Sequence, residues 1–244
     1  MQPTEQVLKE LVFRRRSVRC YGVEPVSEDV ATKILAFCDQ AKPLYPQIRV
    51  AARVVTDQQV RTYLKWKSPQ MLAIFSEDAP GYLENVGFLF QQVDLYVQSL
   101  GLGTCWLGLG KLREEIPDTE GMDFVMLIAF GHPLDEGLRT DVGQFQRKAL
   151  SQICDREDIR LECARVAPSG TNTQPWYFTH EGERIHAYRS LAGERRHWRL
   201  GNVDRIDMGI ALAHLYVTYP EKFRFFSAEA AELEGYGYTG SFTI

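Results

Sequence analysis

The chain has 244 residues, 45% hydrophobic and 25% charged, with a formal net charge of −4. That length and balance suit one large globular unit, or two closely packed ones, with a core that needs no covalent staples. The mildly acidic total lacks the positive field that bulk nucleic-acid binding needs. Five cysteines without a CxxC pair argue against a disulfide framework and against a zinc site.

No apolar run approaches a membrane span, and the first residues carry no apolar secretion-signal core. With the unpaired cysteines, this predicts a cytoplasmic protein. Residues 4–13 place Val7, Leu8, Leu11 and Val12 on one helical face, with Thr4 as a cap. RRRSVRCYG follows as a basic loop or short strand. A second helix starts at Ser27, with Val30, Ile34, Leu35 and Phe37 on its apolar side. Residues 48–56 alternate as a strand, and 71–75 form a short apolar strand.

Residues 82–100 are the strongest helix. It is apolar on more than one face although it carries Gln91, Gln92, Asp94 and Gln98, so it is expected to be central and buried. Gly101 stops it and GLGTCWLGLG follows. Residues 123–130 predict a buried strand ending at Gly131-His132-Pro133. The polar stretch 134–147 is expected to contain a boundary, dividing the chain into 1–145 and 146–244. The second part is expected to run as a helix around 150–165, the loop APSGTNTQPW, a hairpin of WYFTH and RIHAYRS, a helix over 203–217 and a strand over 223–228.

The two parts resemble each other. Leu95-Tyr96-Val97 recurs as Leu215-Tyr216-Val217, each late in an apolar helix that a strand follows. Upstream, ILAFCDQAKPLYPQIRV reads as a worn copy of LECARVAPSGTNTQPWYF. Both run helix, Ala and Pro, a Pro-containing loop, then strand. Internal duplication explains this order better than coincidence does.

Three motifs carry chemistry. Arg14 to Arg19 offers several guanidiniums and a hydroxyl in a short span, as a phosphate monoester requires; alone, such a run is also what a solvated basic patch looks like. The loop Ala167–Trp176 combines turn formers and small side chains, so a flat ring can approach its backbone, with Ser169 and Asn172 as hydrogen-bonding groups. The glycines of Gly101–Gly108 let backbone N–H groups face a ligand, or simply cap a helix and turn the chain. The five histidines show no metal-ligand spacing, and His132 and His214 read as structural. Asp207 is expected near a helix start, offsetting its dipole. Arg195-Arg196-His197-Trp198-Arg199 reads as a solvated basic face, or as a docking point for a nicotinamide cofactor phosphate.

RRSVR, GLGTCWLG after a long helix, FGHP after a strand, and NxQPW after APS together resemble the FMN-dependent nitroreductases. In ordinary members, APSxxNxQPW follows the RRSxR segment and two subunits build two flavin sites. Here Lys42-Pro-Leu-Tyr-Pro-Gln47 stands in that slot and the intact loop lies in the second part. The chain therefore resembles the branch in which two half-copies are fused into a pseudo-dimer with one competent site and one decayed site.

That resemblance implies an α+β, three-layer α/β/α fold with mixed or antiparallel sheets around central helices. It implies FMN as cofactor, NAD(P)H as electron donor and a flat small-molecule acceptor such as a nitroaromatic or quinone, with no nucleic-acid or membrane partner. A monomer is expected because the two-fold interface is internal, and a homodimer stays open. Arg15 and Ser17 match the phosphate contacts, with Arg16 beside them, and Arg147 and Lys148 match a basic pair that closes on the phosphate. Arg19 would face the pyrimidine end of the flavin. Pro168, Ser169, Gly170 and Asn172 would pack along the ring and ribityl chain, and Leu107 and Gly108 would present backbone N–H groups. The flavin carries such chemistry, so no side-chain acid or base is expected. The alternatives are another reaction on the same scaffold, which the sequence does not separate from the first, and flavin binding without turnover.

Overall fold

The computed structural model describes residues 4–117, 119, 121–135, 137–196 and 198–244. Helix α1, Glu5–Val12, begins where the Thr4 side chain accepts the Val7 N–H. Helix α2, Glu28–Gln40, begins the same way at Ser27, which accepts from Val30. Strands β1 (Val50–Thr56), β2 (Val60–Arg61) and β3 (Gln70–Ser76) follow. Helix α3, Tyr82–Ser99, is buried from Leu83 through Gln98, as a sequence apolar on more than one face predicts. It stops before Gly101, whose φ of 78° a side chain would resist.

Strands β4 (Gly103–Leu107), β5 (Lys111–Leu112) and β6 (Asp123–Gly131) complete the first part. The stretch after Gly101, whose glycines suggested a ligand-facing backbone or a tight turn, is largely a strand. The expected helix over 150–165 does not form. Two short 3-10 turns and helix α4, Glu162–Arg165, stand in its place. Asp158 explains part of the break, because its carboxylate accepts the Arg160 N–H at 2.9 Å and caps a new turn there. The second part continues with β7 (Trp176–Glu181), β8 (Arg184–Ser190), α5 (Ala192–Arg196), α6 (Trp198–Thr218), β9 (Arg224–Phe226) and β10 (Tyr236–Thr243).

Two four-stranded sheets form, in the orders β1-β3-β6-β4 and β7-β8-β10-β9, with β2 and β5 as a separate pair. In chain order both four-stranded sheets have the same arrangement: first, second, fourth, third. In both, a long helix connects the second strand to the third. All strand pairs in these sheets are antiparallel, and the parallel contacts are the isolated bridges Ser17–Thr104 and Cys154–Phe178.

The centre is the crossing of α3 and α6. A Cβ on Gly87 would strike the Ile206 carbonyl oxygen, and a Cβ on Gly209 would strike the Glu84 carbonyl oxygen. The contact is therefore reciprocal: Gly87 matches Gly209, and Glu84 matches Ile206. This register lies two residues away from the one that the Leu-Tyr-Val triplets suggest. Leu72 and Ile74 of β3 face α3 through Val86, Leu89 and Phe90, while Met71, Ala73 and Phe75 face the opposite side. The second sheet buries Phe178, Ile185 and Phe242 against α6. Helix α1 joins this second core through Leu11 and Val12, so the N-terminal segment packs against the far half of the chain.

Candidate functional site

A cavity of about 620 Å³ opens between the two parts. Its walls come from Arg19, the end of β4 with Gly108 after it, Gly170, Thr171 and the stretch 173–176 of the second part, Val203 and Asp204 of α6, and Leu64 and Trp66 after β2. A smaller pocket of about 110 Å³ shares Arg19, Cys105, Trp106, Gly108, Gly170, Thr171 and Val203 with it, and adds Ser17, Pro168, Ser169 and Asp207. The main volume lies within the range of about 300–1,000 Å³ usual for cofactor sites.

The N-terminal wall is fixed by a buried polar network on α3. The Val18 N–H donates to Thr104 at 2.8 Å, which lays residues 17–19 alongside β4. The Arg15 Nε meets Asp94 at 2.9 Å, and Arg15 Nη2 reaches the Ser17 hydroxyl at 3.5 Å. Asp94 also accepts from Thr104 at 2.5 Å, Gln91 at 3.0 Å and Gln98 at 3.2 Å. Gln91 then accepts from the Trp106 indole N–H at 3.1 Å and lies 3.2 Å from His214 Nε2 on α6. His214 Nδ1 donates to the Cys163 carbonyl at 2.9 Å, which leaves Nε2 to accept from Gln91. Burial holds the His214 pKa down to about 3, so the ring is neutral. Gln91, Asp94 and Gln98, which interrupt the apolar sequence of α3, thus position Ser17 and Trp106.

The opposite wall is the loop after α4. Thr171, Asn172 and Gln174 all have positive φ, at 50°, 61° and 49°. Such conformations are costly for a β-branched residue and cluster at functional sites. Gln174, 4% exposed, ties the loop down: its side chain accepts the Lys148 N–H at 2.7 Å and donates to the Asn172 carbonyl at 3.0 Å. Ser169 Oγ accepts the Gln174 N–H at 2.9 Å.

Of the residues that the motifs single out, Arg19, Leu107, Gly108, Lys148 and Gly170 line the main cavity, and Ser17, Pro168 and Ser169 line the smaller pocket. Both ends of the chain therefore meet at one place. Arg15, Arg16, Arg147 and Asn172 lie outside both linings. The Arg15 side chain is 1% exposed and bound to Asp94, and the Arg16 N–H donates to Gln98 at 3.0 Å. Arg147 and Asn172 are bonded to each other at 2.7 Å. His197 of the second basic cluster lies outside the described residues, as do the side chains of its neighbours Arg195, Arg196, Trp198 and Arg199.

Arg139 belongs beside them, and the motifs gave no sign of it. It donates to the Arg15 carbonyl and lies 4.2 Å from the centre of the Phe145 ring, over which Arg147 also sits at 5.6 Å. Burial and neighbouring guanidiniums push both Arg139 and Arg147 down to about 10. Asp94 balances Arg15 and Glu162 balances Arg165. Among the described residues, Arg139 and Arg147 donate to carbonyl and amide oxygens.

Asp207 is the main correction. It was expected near a helix start, but α6 begins at Trp198 and Asp207 sits well inside it. It is 3% exposed, lines the smaller pocket and accepts the Gly170 N–H at 2.9 Å. Burial raises its carboxyl pKa well above the usual range. Burial also raises the Cys105 thiol and lowers the Lys148 ammonium in the cavity wall. The Trp176 indole N–H, in a side chain 2% exposed, has no partner among the described residues. A carboxyl set between Ile206, Met208 and Ile210 was the available sign of Asp207.

The family model described as "Putative TM nitroreductase" matches residues 7–219. The chain belongs to this nitroreductase family. A crystal structure from Thermotoga maritima described as a "putative nitroreductase" is similar over 99% of this chain and 94% of its own, with 18% identity and a TM-score of 0.64. This likeness shows that the nitroreductase fold is shared. An FMN-dependent nitroreductase from Clostridium difficile R20291 covers 57% of this chain and 95% of its own, with 18% identity and a TM-score of 0.43. No curated protein matches the sequence. Among the described residues, no helix is long and apolar enough to cross a membrane, and no group of His, Cys, Asp and Glu is arranged to hold a metal ion.

Proposed function

We propose that this member of the nitroreductase family binds one FMN between its two halves and passes reducing equivalents from NAD(P)H to a flat acceptor such as a quinone or nitroaromatic. The observation that carries the reading is the meeting of Ser17, Arg19, Gly108, Ser169 and Gly170 around one cavity, although they come from distant parts of the chain. A bound flavin would supply hydride transfer, and the protein would supply binding, orientation and electrostatics.

The cavity fits such a group. Its lining is mainly apolar, with Trp106, Leu107, Val203 and Trp176 in the walls. Arg19 supplies a cation in both parts of the cavity, where it would stabilise negative charge on the pyrimidine end of the ring. The unpartnered Trp176 N–H offers a donor to a bound molecule. Arg139, bonded to the Arg15 carbonyl, and Arg147, bonded to Asn172, would offer charge for a phosphate. Arg15 would act by holding Ser17 in place rather than by direct contact.

The pseudo-equivalent site would be closed. Asn85 accepts the Leu44 and Tyr45 N–H groups at 2.8 and 2.9 Å, as Asp207 accepts from Gly170. Tyr45 packs edge-on to Phe225, with ring centres 5.9 Å apart. Where the intact loop has small residues, this one has Leu44 and Tyr45, which fill the space. A chain divided near residue 145 into two fused halves, acting as a monomer with one site, completes the reading. The five free thiols, four of them buried, fit a reducing cytoplasm.

An absorption spectrum of the purified protein tests this directly. A flavin spectrum with about one FMN per chain is expected after incubation with FMN, and bleaching is expected when NADPH or NADH is added. A protein that stays colourless would end the proposal. Two flavins per chain would end its one-site form.

A further inference from the structure

Asp207 and Asn85 occupy matching positions in the two halves, because the reciprocal glycine contact pairs Gly87 with Gly209. Each holds the loop of its own half by accepting backbone N–H groups. Asn85 does so as a neutral amide. The holding task therefore needs an oxygen acceptor but no carboxyl group. The half that has the cavity nevertheless carries a carboxyl here, buried and lining the pocket.

The surroundings disfavour a charge at that position. Both Asp207 oxygens share one donor, the Gly170 N–H, at 3.1 and 2.9 Å. A stable buried carboxylate usually accepts two or three such bonds or meets a cation. Asp204, a second carboxyl on the same helix, is 6% exposed and lines the main cavity. Facing the same pocket are Ser17 and Arg19 from the N-terminal segment, Cys105 and Trp106 from β4, Met126 from β6, and Ser169 and Thr171 from the loop. Lys148 faces the main cavity and is tied to the Gln174 carbonyl at 2.9 Å.

We propose that Asp207 is held in the pocket as a neutral carboxylic acid and donates its proton to the acceptor reduced there. This rests on the flavin reading above, and it departs from the expectation that the chemistry needs no side-chain acid. For a quinone, a bound reduced flavin would supply hydride, which is two electrons with one proton. The Asp207 O–H bond breaks and the second O–H bond of the hydroquinone forms. The remaining carboxylate takes a proton from water that enters through the larger cavity. An effective donor in such a position contributes about 10²–10⁴-fold to rate.

Asp207→Asn tests the proton separately from the loop, because asparagine already does the holding task at position 85. Infrared difference spectra of wild type minus variant, recorded near neutral pH on protein with and without FMN, should show a protonated carboxyl stretch. Flavin content should match the wild type, while kcat for menadione falls by about 10²-fold and its KM changes little. If the variant does not fold, pH titration of the infrared spectrum and of kcat in the wild type still decides. Both should change together on the alkaline side. An ionised Asp207 at neutral pH, or a variant with wild-type turnover, would overturn the proposal. A wild type that binds no flavin would overturn the donor role through the reading beneath it. The cofactor-free infrared spectrum distinguishes that failure from an ionised Asp207.

Discussion

Arg15 and Asp94 form an ion pair inside the protein, 2.9 Å apart, with side chains 1% and 0% exposed. The pair ties the N-terminal segment to the central helix and sets Ser17 at the pocket. Removing one partner of such a pair strands the other charge in the interior, at a cost of about 3–5 kcal/mol. Asp94→Ala should therefore lower the unfolding free energy by about that amount in urea. It should also weaken FMN retention, since Ser17 loses its support. A loss under about 1 kcal/mol, in the range of exposed pairs, would show that the pair does not hold the segment.

The crossing of α3 and α6 depends on two absent side chains. Alanine normally stabilises a helix interior over glycine by about 0.5–1 kcal/mol. At Gly87 or Gly209 the new Cβ meets a backbone carbonyl on the facing helix, which cannot rotate away. Gly87→Ala and Gly209→Ala should each destabilise by about 1–3 kcal/mol or more, as overpacking does. Once one has forced the helices apart, the second should cost less, so the double variant should fall short of the sum. Thermal or urea unfolding of the three proteins checks this; a stabilised single variant would refute it.

Much of this arrangement was legible in the sequence because local chemistry and tertiary packing agree. Thr4 and Ser27 cap where expected, and α3 is central because it is apolar on more than one face, with its polar residues bonded inside the protein. The site motifs also converge, since Ser17 and Arg19 of RRSVR, Gly108 of the glycine segment and Ser169 and Gly170 of the APS loop line adjoining pockets. What was hidden depends on contacts distant in sequence. Strand β4 looks like a glycine turn until Val18 packs where a Cβ on Gly103 would lie. Strand β10, with three glycines in or beside it, gains its form by pairing with β8 and β9. The expected helix before the APS loop gives way to local capping by Asp158. Asp207 and Arg139 carry no motif, because their importance comes from the half of the molecule that each one faces.

Arg19 is the cation that faces both parts of the cavity. A hydrogen bond to a charged group contributes about 1.5–3 kcal/mol, and each 1.4 kcal/mol is about tenfold in affinity. Arg19→Ala should therefore raise the Kd for FMN by about 10–100-fold while leaving the fold intact. Quenching of flavin fluorescence on titration measures it. The variant should also reduce its remaining flavin more slowly, because anionic charge on the ring loses its partner. Unchanged affinity would move the ring away from Arg19 and revise the orientation proposed here.

His214 makes stability depend on pH in a fixed direction. Its ring is buried and neutral, with a folded pKa lowered from 6.5 to about 3. The unfolded chain therefore binds a proton more readily than the folded one between these values. Stability from this group is fully present above about pH 6.5 and is lost as pH falls toward 3, with a slope of up to about 1.4 kcal/mol per pH unit. His214→Gln should remove that contribution, because glutamine does not titrate. By the helix register, Gln92 is its counterpart on α3, where it donates to the Lys42 carbonyl at 2.8 Å, so the substitution keeps a donor of the same kind. Urea unfolding between pH 4 and pH 7 should give a steeper loss for the wild type than for the variant. Equal slopes would show that His214 is not held neutral and that the Gln91 bond across the two central helices is not what fixes it.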